Sequence, residues 1–156
     1  MIFQNINAIK PLELFPHIQE AFNAVLEHFQ TEQRTCVISA TGVGKGHIAL
    51  KLCETYADQH ILIITSTAPA REHFKKDLQE KVLGYSDYRK TDVCIYRGLK
   101  NITNDDYSYI IIDEFHHCGA PSYNIQIQRI LDLNPNARVL GLTATPIRPS
   151  DGRDMC

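Results

Sequence analysis

Thr35-Cys36-Val37-Ile38-Ser39-Ala40-Thr41-Gly42-Val43-Gly44-Lys45-Gly46 is a short β-branched run that opens into a glycine-rich loop, and a helix-like stretch from Ile48 to Tyr56 follows it. Strand, loop and helix in this order decide the fold class. Glycines directly after a strand let the backbone curl so that its N–H groups point inward, and the next helix turns its positive end toward the same point. An anion fits there. Gly42 and Gly44 would serve that curl among Thr41, Val43 and Gly46, and Lys45 would reach the β- and γ-phosphates of a nucleotide as a point charge. The expected pattern, G-x-x-x-x-G-K-[ST], is departed from twice: Ser39 stands at the first glycine, and Gly46 replaces the hydroxyl residue that ordinarily binds magnesium. Read alone, the segment is also open to being a flexible turn between a buried strand and a helix.

Working outward, the same order repeats. Upstream, Leu14, Ile18, Ala21, Phe22, Val25, Leu26 and Phe29 recur at steps of three and four, which predicts a helix from about Pro16 to Gln30. Downstream, His60–Thr65 is an apolar run suited to a parallel strand covered on both faces, and Phe74, Leu78 and Val82 place a helix over Arg71–Val82. Val93–Tyr96, Tyr109–Ile112 and Arg138–Leu142 read as strands and Ser122–Leu131 as a helix, with surface loops at Tyr85–Thr91 and Asn101–Ser108. Alternating strands and helices imply an α/β fold, a parallel β-sheet flanked by helices on both faces. Regular structure is expected to break at Pro146–Gly152, so residues 1–156 form one domain.

Composition agrees with one ordinary globular core: 156 residues, 44% hydrophobic and 22% charged. The five cysteines are widely spaced, without a C-x-x-C pair, which fits a reducing, cytoplasmic setting. No apolar run approaches a signal peptide's core or a membrane span, so no membrane partner is expected. A formal net charge of −2 excludes a broad basic field, and any nucleic-acid contact must be local.

Tyr109-Ile110-Ile111-Ile112-Asp113-Glu114 is an apolar strand that ends in two acids. At the carboxyl ends of parallel strands, side chains emerge into the crevice where ligands of open α/β sheets sit. Asp113 would hold a magnesium ion there, and Glu114 would polarise the water that attacks a γ-phosphate. By itself, the pair is equally a polar strand terminus or a helix cap.

With Asp113-Glu114-Phe115-His116 in place, the chain resembles the superfamily 2 helicases, above all the DExH-type group that includes restriction-enzyme motor subunits and DEAH-like translocases. The resemblance covers nearly the whole chain and implies a RecA-like P-loop NTPase domain. Ala40–Lys45 looks like motif I, Ala68-Pro69-Ala70-Arg71-Glu72 like motif Ia, and Thr143-Ala144-Thr145 like motif III. It implies Mg-ATP at motif I and the DExH acids, with His116 linking those acids to motif III. Pro69 and Arg71 would lie against a DNA or RNA backbone, DNA being favoured, and Thr143 and Thr145 would couple that strand to the ATP site. Arg71 is alternatively a solvated helix-terminus residue, and the two threonines satisfiers of strand-end backbone groups. Pro16-His17-Ile18-Gln19-Glu20-Ala21 resembles the family's adenine-recognising segment with Ile18 at the usual glutamine position, leaving Gln19 open as a base contact or a helix-surface residue.

The family's motor has two lobes, the second of which carries arginines that stabilise the transferring phosphoryl group. Nothing after Asp151 supplies them, so the expectation is a first lobe served by a second RecA-like lobe in cis or in trans. The alternative is a nucleotide-binding or interaction module with little hydrolysis of its own. A P-loop kinase leaves Thr143-Ala144-Thr145 unexplained.

Overall fold

The computed structural model describes residues 10–40, 44–82, 90–114 and 121–144 of the chain. Among these described residues, five strands, β1 (Arg34–Ile38), β2 (His60–Thr65), β3 (Lys90–Ile95), β4 (Tyr109–Asp113) and β5 (Arg138–Thr143), alternate with four helices. The helices are α1 (Pro16–His28), α2 (Lys45–Thr55), α3 (Ala68–Lys81) and α4 (Pro121–Leu133), and a 3₁₀ turn spans Tyr96–Asn101. All pairings are parallel and the spatial order is β1-β5-β4-β2-β3, so every carboxyl end lies on one edge of the sheet.

Alternation along the central strands builds two cores. Ile61, Ile63, Tyr109 and Ile111 face α1, α2 and α3, while Leu62, Ile64, Ile110 and Ile112 face α4 and the 3₁₀ turn. The isoleucines of β2 and β4 are buried to within 1% of complete exclusion from water, and each such side chain contributes roughly 1.5–3 kcal/mol of transfer free energy. This burial outweighs the weak preferences of the polar residues that end the strands. Helices therefore cover both faces, as the sequence implies. Among the described residues no helix is long and apolar enough to cross a membrane.

Several boundaries differ from the periodicity for identifiable reasons. α3 starts at Ala68 because Thr67 caps it, its hydroxyl accepting the Ala70 N–H at 3.2 Å, and Pro69 suits the first turn. α2 starts at Lys45 because Gly44 reverses the backbone at φ 92°. β3 begins at polar Lys90 through its register with His60 of β2; an edge strand tolerates polar residues. Tyr96 opens the 3₁₀ turn instead of closing β3, and Tyr107, expected in a surface loop, is buried.

Candidate functional site

Lys45 is the first residue of α2, and its Nζ donates to the carbonyls of Ser39 at 2.8 Å and Ala40 at 3.1 Å. The ammonium is thus bent back over the loop that leaves β1. Gly44, at the N-cap, has φ 92° and no side-chain cap, and its carbonyl accepts the His47 N–H at 3.0 Å. Any other residue at Gly44 would be strained by that φ, although its Cβ would meet Ile18 only at 3.5 Å. Ile18 of α1 therefore lies against Gly44, just before α2. Among the described residues, a Cβ at Gly46 would meet nothing closer than the Phe74 ring at 3.9 Å. Ser39 N–H donates to the Thr143 carbonyl at 3.0 Å, joining the end of β1 to the end of β5.

Asp113 ends β4 two strands away from β1, in register with Leu142 of β5. Thr65, the buried last residue of β2, donates its hydroxyl to Asp113 Oδ2 at 3.2 Å. Burial pushes the Asp113 carboxyl above the usual carboxylate range, and Glu114 adds to this; the Thr65 hydroxyl, the Glu114 backbone and the Lys45 charge oppose it. A desolvated acid within the field of a lysine, with no ion pair between the two among the described residues, fits a metal carboxylate beside a phosphate-binding cation.

Glu114 has φ 55°, the left-handed region that non-glycine residues enter at a cost of order 1–3 kcal/mol. The Tyr96 hydroxyl donates to the Asp113 carbonyl at 3.1 Å and the Glu114 carbonyl at 3.3 Å. Tyr96 and Thr65 went unnoticed in the sequence. Thr65 carried the same signal as Asp113, a polar residue closing an apolar run. Tyr96 carried none.

The other expected site residues divide. Pro69 lies at the start of α3, and Arg71 Nε donates to Glu72 at 3.1 Å on the same first turn. Thr143 is fully buried at the end of β5. The Gln19 amide donates to Asn23 of its own helix at 2.9 Å. Thr41, Gly42, Val43, His116 and Thr145 lie outside the described residues. A cavity of about 1040 Å³ runs along the outer edge of β1, between α1 and α4, and includes none of Lys45, Asp113 and Glu114. Lys45, Asp113 and Glu114 lie instead at the carboxyl edge of the sheet.

The fold recurs in solved structures. The UvsW helicase of bacteriophage T4 superimposes with a TM-score of 0.67 at 18% identity, over 92% of this chain and 56% of that one. The Hef helicase domain of Pyrococcus furiosus gives 0.64 at 20% identity, over 86% and 35%. A nuclease-deletion mutant of the Type ISP restriction-modification enzyme LlaGI, solved with a DNA substrate mimic, gives 0.63 at 15%, over 87% and 18%. The chain thus spans little more than half of the first of these structures and less of the others, and the likeness is one of fold. No curated protein matches it in sequence. A family profile described as "Type III restriction enzyme, res subunit" matches residues 11–93 and 85–148. Since those matches take in most of the chain and every described element, the chain belongs to the type III restriction enzyme res subunit family.

Proposed function

We propose that this chain is the ATP-binding lobe of a nucleic-acid-dependent ATPase, a DExH-type helicase or translocase that uses ATP hydrolysis to move on DNA or RNA when paired with a second RecA-like lobe. The observation that carries the reading is that Lys45, bent back over the end of β1, and Asp113, held by Thr65 at the end of β4, lie at the same carboxyl edge of the sheet. Lys45, the amides opening α2 and the loop residues Thr41–Gly46 would bind the phosphates. Asp113 would hold Mg²⁺, directly or through water, and Glu114 would take the proton of the attacking water. Bound Mg²⁺ supplies charge neutralisation at the phosphate oxygens.

His116 would connect the acids to motif III. The Ser39–Thr143 hydrogen bond supports a coupling role for Thr143, because it ties the strand that enters the proposed phosphate loop to β5, and Thr145 would share that role. Pro69 and Arg71, opening α3, would meet a nucleic-acid backbone, and the DNA mimic bound to the LlaGI mutant favours DNA as that partner. The second lobe would act in cis or in trans.

Titrating the chain with ATP and Mg²⁺ tests this: ATP is expected to bind, tripolyphosphate to compete for it, and oligonucleotide binding to be weak and to fall as salt rises. Absence of nucleotide binding, or tight oligonucleotide binding at high salt, would count against it. Gly46, which offers no oxygen to a metal, favours a second reading as a nucleotide-binding module with little hydrolysis. Phosphate release no faster than that of Glu114→Gln would select that reading.

A further inference from the structure

We infer that Tyr96 is a positioning residue for the acid turn: its hydroxyl fixes the left-handed conformation at Glu114 on which the alignment of both carboxyls with bound Mg-nucleotide depends. The inference rests on the nucleotide reading above. In an extended strand, successive carbonyls point in opposite directions, so a single hydroxyl cannot reach both. Here the Tyr96 hydroxyl lies 3.1 Å from the Asp113 carbonyl oxygen and 3.3 Å from that of Glu114. The φ and ψ of Glu114 together set the angle between these two carbonyls, and its φ stands at 55°. A hydroxyl shared between both oxygens therefore restrains that pair of torsions. Ladder pairing of β4 with β5 ends at Asp113, so the ladder does not impose it.

The hydroxyl is delivered by a rigid frame. Tyr96 is buried, and its ring lies 4.9 Å from that of Tyr123 on α4. Arg129, on the same helix, donates to the carbonyls of Leu99 and Ile102, both at 2.7 Å, and so pins the 3₁₀ turn that Tyr96 begins. Strained backbone persists where surrounding structure over-determines it, and here the strain falls on the residue assigned to the attacking water.

The test uses the 156-residue chain, titrated with a fluorescent ATP analogue in excess Mg²⁺ and again in chelator, as wild type and as Tyr96→Phe. Because the ring stays, melting temperature and metal-free affinity should remain close to wild type. The factor by which Mg²⁺ tightens binding should fall about fivefold to tenfold, the equilibrium weight of one hydrogen bond. An unchanged factor overturns the inference and leaves the nucleotide reading standing. Loss of metal-free affinity with the factor preserved overturns it too, since the hydroxyl would then serve general integrity. A wild-type chain that binds no nucleotide removes the reading itself, and the inference with it. If Tyr96→Phe does not fold, Tyr123→Leu, which keeps the hydroxyl but takes away the ring beside it, decides: a lower magnesium factor supports the inference, and an unchanged one overturns it.

Discussion

The two ends of the β-sheet carry similar polar residues and treat them in opposite ways. At the amino end, His60 places Nε2 2.9 Å from Asp92 and Nδ1 2.8 Å from Asp106, Tyr107 donates to Asp92 at 2.6 Å, and Ser108 donates to Gln59 at 2.6 Å. Side chains there satisfy one another across β2, β3 and the approach to β4. At the carboxyl end, Lys45 and Tyr96 donate to main-chain carbonyls, and Glu114 is held in a strained conformation. Among the described residues, Lys45 is held by the Ser39 and Ala40 carbonyls and Asp113 by the Thr65 hydroxyl, with no ion pair between the two. At the amino end the polar side chains mostly meet one another, whereas at the carboxyl end the main chain takes up most of the donors described.

Breaking the carboxyl end should therefore cost binding, and breaking the amino end should cost stability. Lys45→Ala is expected to weaken nucleotide affinity about tenfold to a hundredfold, the weight of charge-assisted hydrogen bonds, with a melting temperature near wild type. An unchanged affinity in the same titration would reduce the loop to a structural turn. His60→Ala removes a mostly buried ring from between two carboxylates that are about half exposed, so its cost is smaller, about 1–2 kcal/mol in denaturant unfolding. Nucleotide affinity should not move. If it falls as much as stability does, the division between the two ends is wrong.

How far the sequence revealed these two ends depends on range. The apolar runs His60–Thr65 and Tyr109–Ile112 identify the central strands, because a strand covered on both faces must be apolar throughout. Lys45, Asp113 and Glu114 stand out for a related reason: each closes or follows such a run at a strand's carboxyl end. Helix starts are harder. Periodicity begins only where a face is buried, so it found Ile48 and Arg71 and missed starts set by Gly44 and by Thr67 with Pro69. Strand order, the His60 network and the Tyr96 contact depend on which strands become neighbours. Tyr96 reaches Asp113 only because β3 and β4 flank β2, and no local pattern encodes that.

Gly46 gives the smallest and most discriminating test of the carboxyl end. In the family's pattern a hydroxyl at this position contributes an oxygen to Mg²⁺, and glycine leaves that coordination to water. Among the described residues, an added Cβ would approach the Phe74 ring alone, at the ordinary contact distance of 3.9 Å. Gly46→Thr should therefore be accommodated. The hydroxyl would replace a water whose immobilisation costs about 0–2 kcal/mol, so Mg-ATP affinity should rise about threefold. The same substitution removes a glycine from the first turn of α2, where the gain is below the ~1 kcal/mol it would bring inside a helix. That gain appears without nucleotide, as a higher melting temperature, and it does not distinguish metal-bound from metal-free ATP. Titration in Mg²⁺ and in chelator separates the two contributions. Equal changes in both would mean that Gly46 affects the backbone alone and that the metal site, if served by Asp113, does not extend to the start of α2.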